Sequence, residues 1–295
     1  MALYSLPQRR TFTRRRFLTA GLAGAAGLAL YSGEIARHWL DISKIEIKLK
    51  NLPEAFEGVR IAQLSDIHLG EFTEEFFLRH AVETINGLRP DVVLLTGDFV
   101  TQSILGKKYG ARQAEPCAQT LSAIACKQRF AVLGNHDVLV DPEEVTSTLT
   151  ARGIPVLRNA FLPLERNGGR IWLAGLDDVL QGDADPELAI PPAIRNQKDE
   201  PIVLMCHEPD FVHWLLKRPE GAAVSLMVSG HTHGGQVRLP FMPPLELPPL
   251  GRHYVEGLFQ VGELQLYVNR GLGTVGVPFR LNCPPEITLF TLRRG

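Results

Sequence analysis

The chain has 295 residues, 45% hydrophobic and 21% charged, which supplies enough apolar mass for a substantial core and excludes global disorder. Its formal net charge of −1 is uneven, because residues 1–36 carry Arg9, Arg10, Arg14, Arg15 and Arg16 against Glu34 alone. The remaining body is mildly acidic, which excludes a broad basic surface for nucleic acid.

In chain order, Thr13-Arg14-Arg15-Arg16-Phe17-Leu18 precedes a Gly/Ala-rich apolar stretch from Thr19 to Leu30. Basic residues followed by a short apolar segment fit a secretory signal, and paired arginines followed by x-Phe-Leu look like a twin-arginine signal. The apolar part is only about a dozen residues, short of the roughly 20 that span a bilayer. No A-x-A cleavage site closes it, so two outcomes stay open, a removed signal or an N-terminal anchor that stays attached. Residues 1–40 are therefore read as signal or anchor, and 41–295 as a single domain.

The alternation over 44–50 predicts a half-buried strand, and 59–64 a second one running into Ser65-Asp66. Residues 73–87 read as a helix with Thr73 as N-cap and Phe76, Phe77, His80, Ile85 and Leu88 as its apolar face. The run 91–95 suits a strand covered on both faces. A helix over 112–125 and a strand over 130–133 follow. Asp141-Pro142 then opens another helix, with Asp at the N-cap and Pro in the first turn. Asn167-Gly168-Gly169 between 163–166 and 170–175 is a hairpin signal. Strands follow at 201–206, 224–228, 264–268 and 287–292.

Five of the apolar runs end in polar clusters: Asp66-x-His68, Gly97-Asp98, Gly134-Asn135-His136-Asp137, His207 and Gly230-His231-Thr232-His233. Each is weak alone, since a lone core histidine is usually a satisfied polar group. Ligands in open α/β sheets gather beyond the carboxyl ends of strands, so the five clusters can converge on one site. Carboxylate, amide oxygen and imidazole suit Mn²⁺, Fe²⁺ or Zn²⁺.

With these motifs in this order, the sequence resembles the calcineurin-like metallophosphoesterase superfamily over roughly 45–293. Ser229 to Gln236 and the tail Arg270 to Thr274, Pro278-Phe279-Arg280 and Pro285-Glu286-Ile287 are similar to its twin-arginine-exported YkuE/YaeI-like branch. The resemblance implies a four-layer α/β/β/α sandwich, two central mixed β-sheets flanked by helices. It implies two divalent ions, with Asp98 bridging, Asp66, His68 and His233 completing one shell, and Asn135, His207 and His231 the other. His136 would protonate the leaving group and stabilise the transition state, with Asp137 holding its ring. A metal-bridging hydroxide would attack phosphorus in line, without a covalent intermediate.

The implied function is hydrolysis of phosphate esters, diesters first, on the periplasmic face of the inner membrane or beyond, after passage through the twin-arginine translocase. The stretch Leu239–Leu250, apolar and stiffened by prolines, is expected either to face lipid or a lipid-linked substrate or to be a packed structural loop. Two alternatives stand beside this: a UDP-2,3-diacylglucosamine pyrophosphatase-like hydrolase, and a non-catalytic metal-stabilised scaffold. His80, His213 and His253 lie outside the motifs and read as surface or packing residues, and Asp177-Asp178 as a solvated turn. Cys117, Cys126, Cys206 and Cys283 form no CxxC pair, which leaves four free thiols or a single Cys117–Cys126 bridge.

Overall fold

The computed structural model describes residues 13–102 and 106–295; Arg9 and Arg10 of the basic N-terminal stretch lie outside the described residues. Two mixed sheets form the centre. The first contains β1 (Asp41–Leu49), β2 (Arg60–Leu64), β3 (Val92–Thr96), β4 (Arg129–Val132) and, last in the chain, β11 (Glu286–Arg294). Its order is β1-β11-β2-β3-β4. The second contains β5 (Ala160–Arg166), β6 (Gly169–Gly175), β7 (Ile202–Met205), β8 (Val224–Ser229), β9 (Gly257–Val261) and β10 (Leu264–Val268), in the order β5-β6-β7-β8-β10-β9.

Alternate side chains of a strand point to opposite faces, and that rule builds the layers. On β3, Val92 and Leu94 face the second sheet, while Val93 and Leu95 face helices. Those helices are α2 (Glu75–Leu88), α3 (Lys107–Leu121) and α5 (Pro142–Ala151), with the short α4 (Asn135–Val140) between the last two. On β7, Val203 and Met205 face the first sheet. Ile202 and Leu204 face a third cluster with residues of α6 (Pro186–Ala189), α7 (Pro192–Arg195) and α8 (Val212–Leu215). The result is the expected four-layer sandwich.

Several local expectations shift. The helix expected over 73–87 starts at Glu75, and its buried face is Phe77, Leu78, Ala81, Val82 and Ile85; Phe76 and His80 are exposed. The helix expected at 112–125 runs from Lys107 to Leu121. Asp141 caps α5 by accepting from the Glu144 amide, as expected. At the hairpin, Asn167 and Gly168 both take positive φ (47° and 81°), the geometry a tight two-residue turn requires. Asp177 and Asp178 are not a solvated turn: both are buried, Asp177 paired with Arg158. All four cysteines are free thiols.

At the N-terminal end, α1 (Arg14–Leu30) buries none of its residues. No described helix is long and apolar enough to cross a membrane. The segment after α1 packs on the body: Ser32, Gly33 and Ala36 are buried, and Arg37 donates to Glu74 (2.6 Å). The Arg280 amide donates to the Ser32 carbonyl (3.0 Å).

Candidate metal centre

The five polar clusters sit past the carboxyl ends of β2, β3 and β4 in one sheet and β7 and β8 in the other. Those strands are parallel within each sheet, so their ends share an edge. Backbone bonds fasten the loops together: Asp66 N to Gly97 O and His68 N to Asp98 O (each 3.0 Å), and Gly230 N to His207 O (3.1 Å). The buried Gln63 amide joins the sheets by donating to Ser229 O (2.9 Å).

Asp98 Oδ2 lies 3.5 Å from His68 Nε2 and 3.2 Å from His207 Nε2, between the two halves of the centre. Asp66 Oδ1 is 3.5 Å from His233 Nε2, and His68 Nε2 is 3.0 Å from His233 Nε2. Asn135 Oδ1 is 3.1 Å from His231 Nδ1. For ligands at roughly 2.1 Å from an ion, neighbouring donors stand about 3.0 Å apart in octahedral and about 3.4 Å in tetrahedral geometry. The observed spacings match. His207 Nε2 is fully buried and, among the described residues, makes no well-aligned hydrogen bond even with Asp98 Oδ2 at 3.2 Å, as expected of a lone pair kept for a cation. The residues present therefore fit divalent metal, and all seven predicted ligands are brought together.

In three of the four histidines the opposite ring nitrogen is tethered, which fixes those rings. His207 Nδ1 donates to Thr96 O (2.6 Å), His68 Nδ1 meets Thr101 Oγ1 (3.0 Å), and His231 Nε2 donates to Pro249 O (2.7 Å). Five of the predicted ligands, Asp66, His68, Asp98, His231 and His233, hold positive φ between 50° and 73°. That conformation is strained for residues with a Cβ and persists where the surroundings enforce it. Glycines make the approach possible: a Cβ on Gly134 would stand 2.3 Å from Asp98 Oδ1, and one on Gly230 would stand 2.2 Å from Asp66 Oδ2.

Charge is concentrated here. Burial pushes the Asp66 carboxyl up to about 6 and pulls His68 and His231 down to about 3. Burial also opposes ionisation of Asp98 and His207, but each outweighs it for the other: Asp98 is held well below the usual range and His207 well above.

His136 is half-buried beside the centre, its ring 4.9 Å from that of His68. The expectation that Asp137 holds this ring is corrected. Asp137 is fully buried, and its oxygens accept from the amides of Phe99 (2.8 Å), Val100 (3.1 Å) and Gly134 (3.0 Å). It pins the loops that carry Asp98 and Asn135, and burial pushes its carboxyl up to about 8, with the Asp98 charge adding. The His136 ring is held instead by the Gln102 amide, which donates to Nδ1 (3.2 Å).

Sequence reasoning missed Thr101, the Thr96 and Pro249 carbonyls, and Arg280. The Arg280 guanidinium is fully buried, donates to Gly271 O (3.1 Å) and lies 3.5 Å from His233 Nδ1. Its only signal was its place in the tail motif. That tail closes the centre from behind, with Leu272 N on Ser65 O (2.9 Å) and Gly273 N on Asp66 O (2.7 Å).

A cleft of about 430 Å³ opens on the centre. Asp98, Asn135, His136 and His231 form its polar floor, and Leu245, Pro248, Val275, Val277 and Phe279 form an apolar wall. Phe241 and Met242, in the same 239–250 segment as Leu245 and Pro248, are exposed.

A family model described as calcineurin-like phosphoesterase matches residues 59–235. The chain is 36% identical to the uncharacterized metallophosphoesterase YkuE of Bacillus subtilis, over 97% of each chain. It is 31% identical to the phosphodiesterase YaeI of Escherichia coli, over 95% of this chain and 99% of that one. It is 29% identical to the UDP-2,3-diacylglucosamine pyrophosphatase LpxG of Chlamydia trachomatis, over 81% and 86%.

Proposed function

Because this chain belongs to the calcineurin-like phosphoesterase family, and so hydrolyses phosphoester bonds, we propose that it cleaves phosphodiesters at a two-ion centre. The observation that carries the proposal is the position of Asp98 Oδ2 between His68 and His207. One ion would be held by Asp66, His68 and His233, the other by Asn135, His207 and His231, with Asp98 common to both. When bound, two divalent cations supply Lewis acidity toward the phosphoryl oxygens and lower the pKa of a water nucleophile. Mn²⁺, Zn²⁺ and Fe²⁺ suit this mixed donor set.

The chain's own residues do the rest. The His136 amide donates to Asp98 Oδ1 (2.9 Å) and fixes the shared carboxylate. Since His136 Nδ1 accepts the Gln102 N–H, the neutral ring carries its proton on Nε2, from which it is donated to the leaving oxygen. Among the described residues no Lys or Arg lines the cleft. Charge relief then rests on the ions, which suits a singly charged diester better than a doubly charged monoester.

The N-terminal arginines and apolar α1 support export by the twin-arginine translocase and retention at the outer face of the inner membrane, with residues 1–40 as the anchor of a domain spanning 41–295. The Ser32–Gly33 junction lies against Pro278 and Phe279, and Phe279 belongs to the cleft wall. A membrane anchor ending there would stand beside the cleft, which supports a lipid-linked phosphoester. The apolar wall and the likeness to LpxG also support a second reading, hydrolysis of UDP-2,3-diacylglucosamine. An exported enzyme, however, would not meet that cytoplasmic nucleotide. The scaffold alternative has no support, since the ligand set is complete.

The test is turnover of bis-p-nitrophenyl phosphate, p-nitrophenyl phosphate and UDP-2,3-diacylglucosamine after Mn²⁺ reloading. The diester should be fastest and Asp98→Ala inactive. Faster monoester turnover removes the diester preference, and an active Asp98→Ala removes the two-ion assignment.

A further inference from the structure

His231 faces the centre through Nδ1 because its Nε2–H is taken by the carbonyl of Pro249 (2.7 Å). A carbonyl only accepts, so this bond sets both the tautomer and the ring plane. The Pro249 carbonyl stands near the end of the 239–250 loop, whose apolar side chains reach solvent: Phe241 is fully exposed, and Met242 and Leu245 are more than half exposed. Something beyond the loop must fix its end.

That anchor is one carboxylate. Asp210, 6% exposed, accepts from the amides of Arg252 (2.8 Å), His253 (3.1 Å) and Tyr254 (3.1 Å), and from His253 Nδ1 (3.0 Å). Its own amide donates to Leu250 O (2.9 Å). Residues 250–254 are thus tied to Asp210 on both sides of Gly251. A Cβ on Gly251 would stand 3.3 Å from His231 Cδ2, so this stretch lies against the ligand's ring. The Thr232 hydroxyl donates to Val255 O (2.6 Å), holding the ligand turn to the same stretch.

We propose that Asp210, which touches neither substrate nor ion, is a positioning residue for the metal ligand His231, acting through the backbone of residues 249–254. The inference rests on the two-ion reading. It assigns Asp210 to the ion held by His231, His207 and Asn135, and not to the ion held by Asp66, His68 and His233.

The experiment is Mn²⁺ titration of the full chain by equilibrium dialysis, with electron paramagnetic resonance reporting whether two ions are close enough to couple. Loss of a partner that orients a metal ligand weakens metal binding by about 10- to 100-fold. Asp210→Ala should therefore keep one ion at wild-type affinity, need about 10- to 100-fold more Mn²⁺ for the second, and lose the coupled signal at stoichiometric metal. Asp210→Asn keeps one acceptor oxygen and should fall between. His253→Ala, which removes only the side-chain bond, should match the wild type. Two ions bound as in the wild type by Asp210→Ala would overturn the inference. So would equal weakening of both ions in Asp210→Ala and Asp210→Asn alongside lost thermal stability, which marks a purely structural residue. A wild-type chain binding fewer than two ions removes the two-ion reading and this inference together, whereas a wild-type pair untouched by Asp210→Ala removes this inference alone.

Discussion

Gly230→Ala tests the packing of the centre with a single methyl group. Gly230 does not have the positive φ that disfavours a side chain, so the methyl group's contacts decide the effect of alanine there. The added Cβ, however, would stand 1.9 Å from Ser65 Oγ and 2.2 Å from Asp66 Oδ2. Ordinary contact is about 3.2–3.4 Å, so the Asp66 carboxylate must retreat by roughly 1 Å. Asp66 has little room to do so: it is fully buried, and the His231 amide donates to both its oxygens (2.9 and 3.1 Å). Metal–ligand distances tolerate about 0.2 Å, and a 1 Å misplacement costs on the order of 100-fold in rate. Turnover of bis-p-nitrophenyl phosphate at fixed Mn²⁺ should fall about 100-fold, with metal content measured on the same sample. Gly87→Ala is the control. It lies in α2, its Cβ would meet nothing within 4 Å, and it should raise stability by about 0.5 kcal/mol with turnover unchanged. Gly230→Ala with near wild-type turnover and full metal content would show that Asp66 is not confined as described, and the reasoning would fail.

His136→Ala should retain both ions while turnover falls about 10²- to 10⁴-fold; metal lost in parallel would make His136 a ligand instead. In metal-free protein, Asp137 is raised to about 8, so the folded state holds a proton that the unfolded state has lost, and stability falls as pH rises through that window. His68 and His231 are lowered from 6.5 and act in the opposite direction only below it. Between pH 6.5 and 8 the metal-free melting temperature should therefore drop, and the gain on adding Mn²⁺ should grow. A gain independent of pH across this interval would contradict the assignment. If the 239–250 loop faces lipid as proposed, chain lacking residues 1–30 should still sediment with liposomes, and Phe241→Ser with Leu245→Ser should abolish this; no binding before the change removes the idea.

The candidate ligands were legible in the sequence for a local reason. A parallel strand buried on both faces is a continuous apolar run, and the polar residues that end it mark the edge where loops carry chemistry. Asp66, His68, Asp98, Asn135, His207, His231 and His233 each stand at such an end. The hairpin at Asn167-Gly168 and the cap at Asp141 were legible because turn and cap chemistry depend on adjacent residues alone.

What orients the ligands was not legible, because those partners are distant in the chain and are chosen by how loops approach. Asp137 follows His136 directly, yet the packing of β3 against β4 turns its carboxylate toward the Phe99, Val100 and Gly134 amides, and Gln102 holds the ring. Asp177 and Asp178 read as a solvated turn, but both are buried, Asp177 against Arg158 and Asp178 accepting from the Leu180 and Gln181 amides. From sequence alone, strand periodicity and turn residues marked the strands and the polar clusters at their ends, while the layers and the donor set were what the family resemblance implied. Tertiary structure decided which backbone carbonyl or amide faces each donor, because a hydrogen bond needs a particular partner within about 3 Å and only the assembled loops supply it.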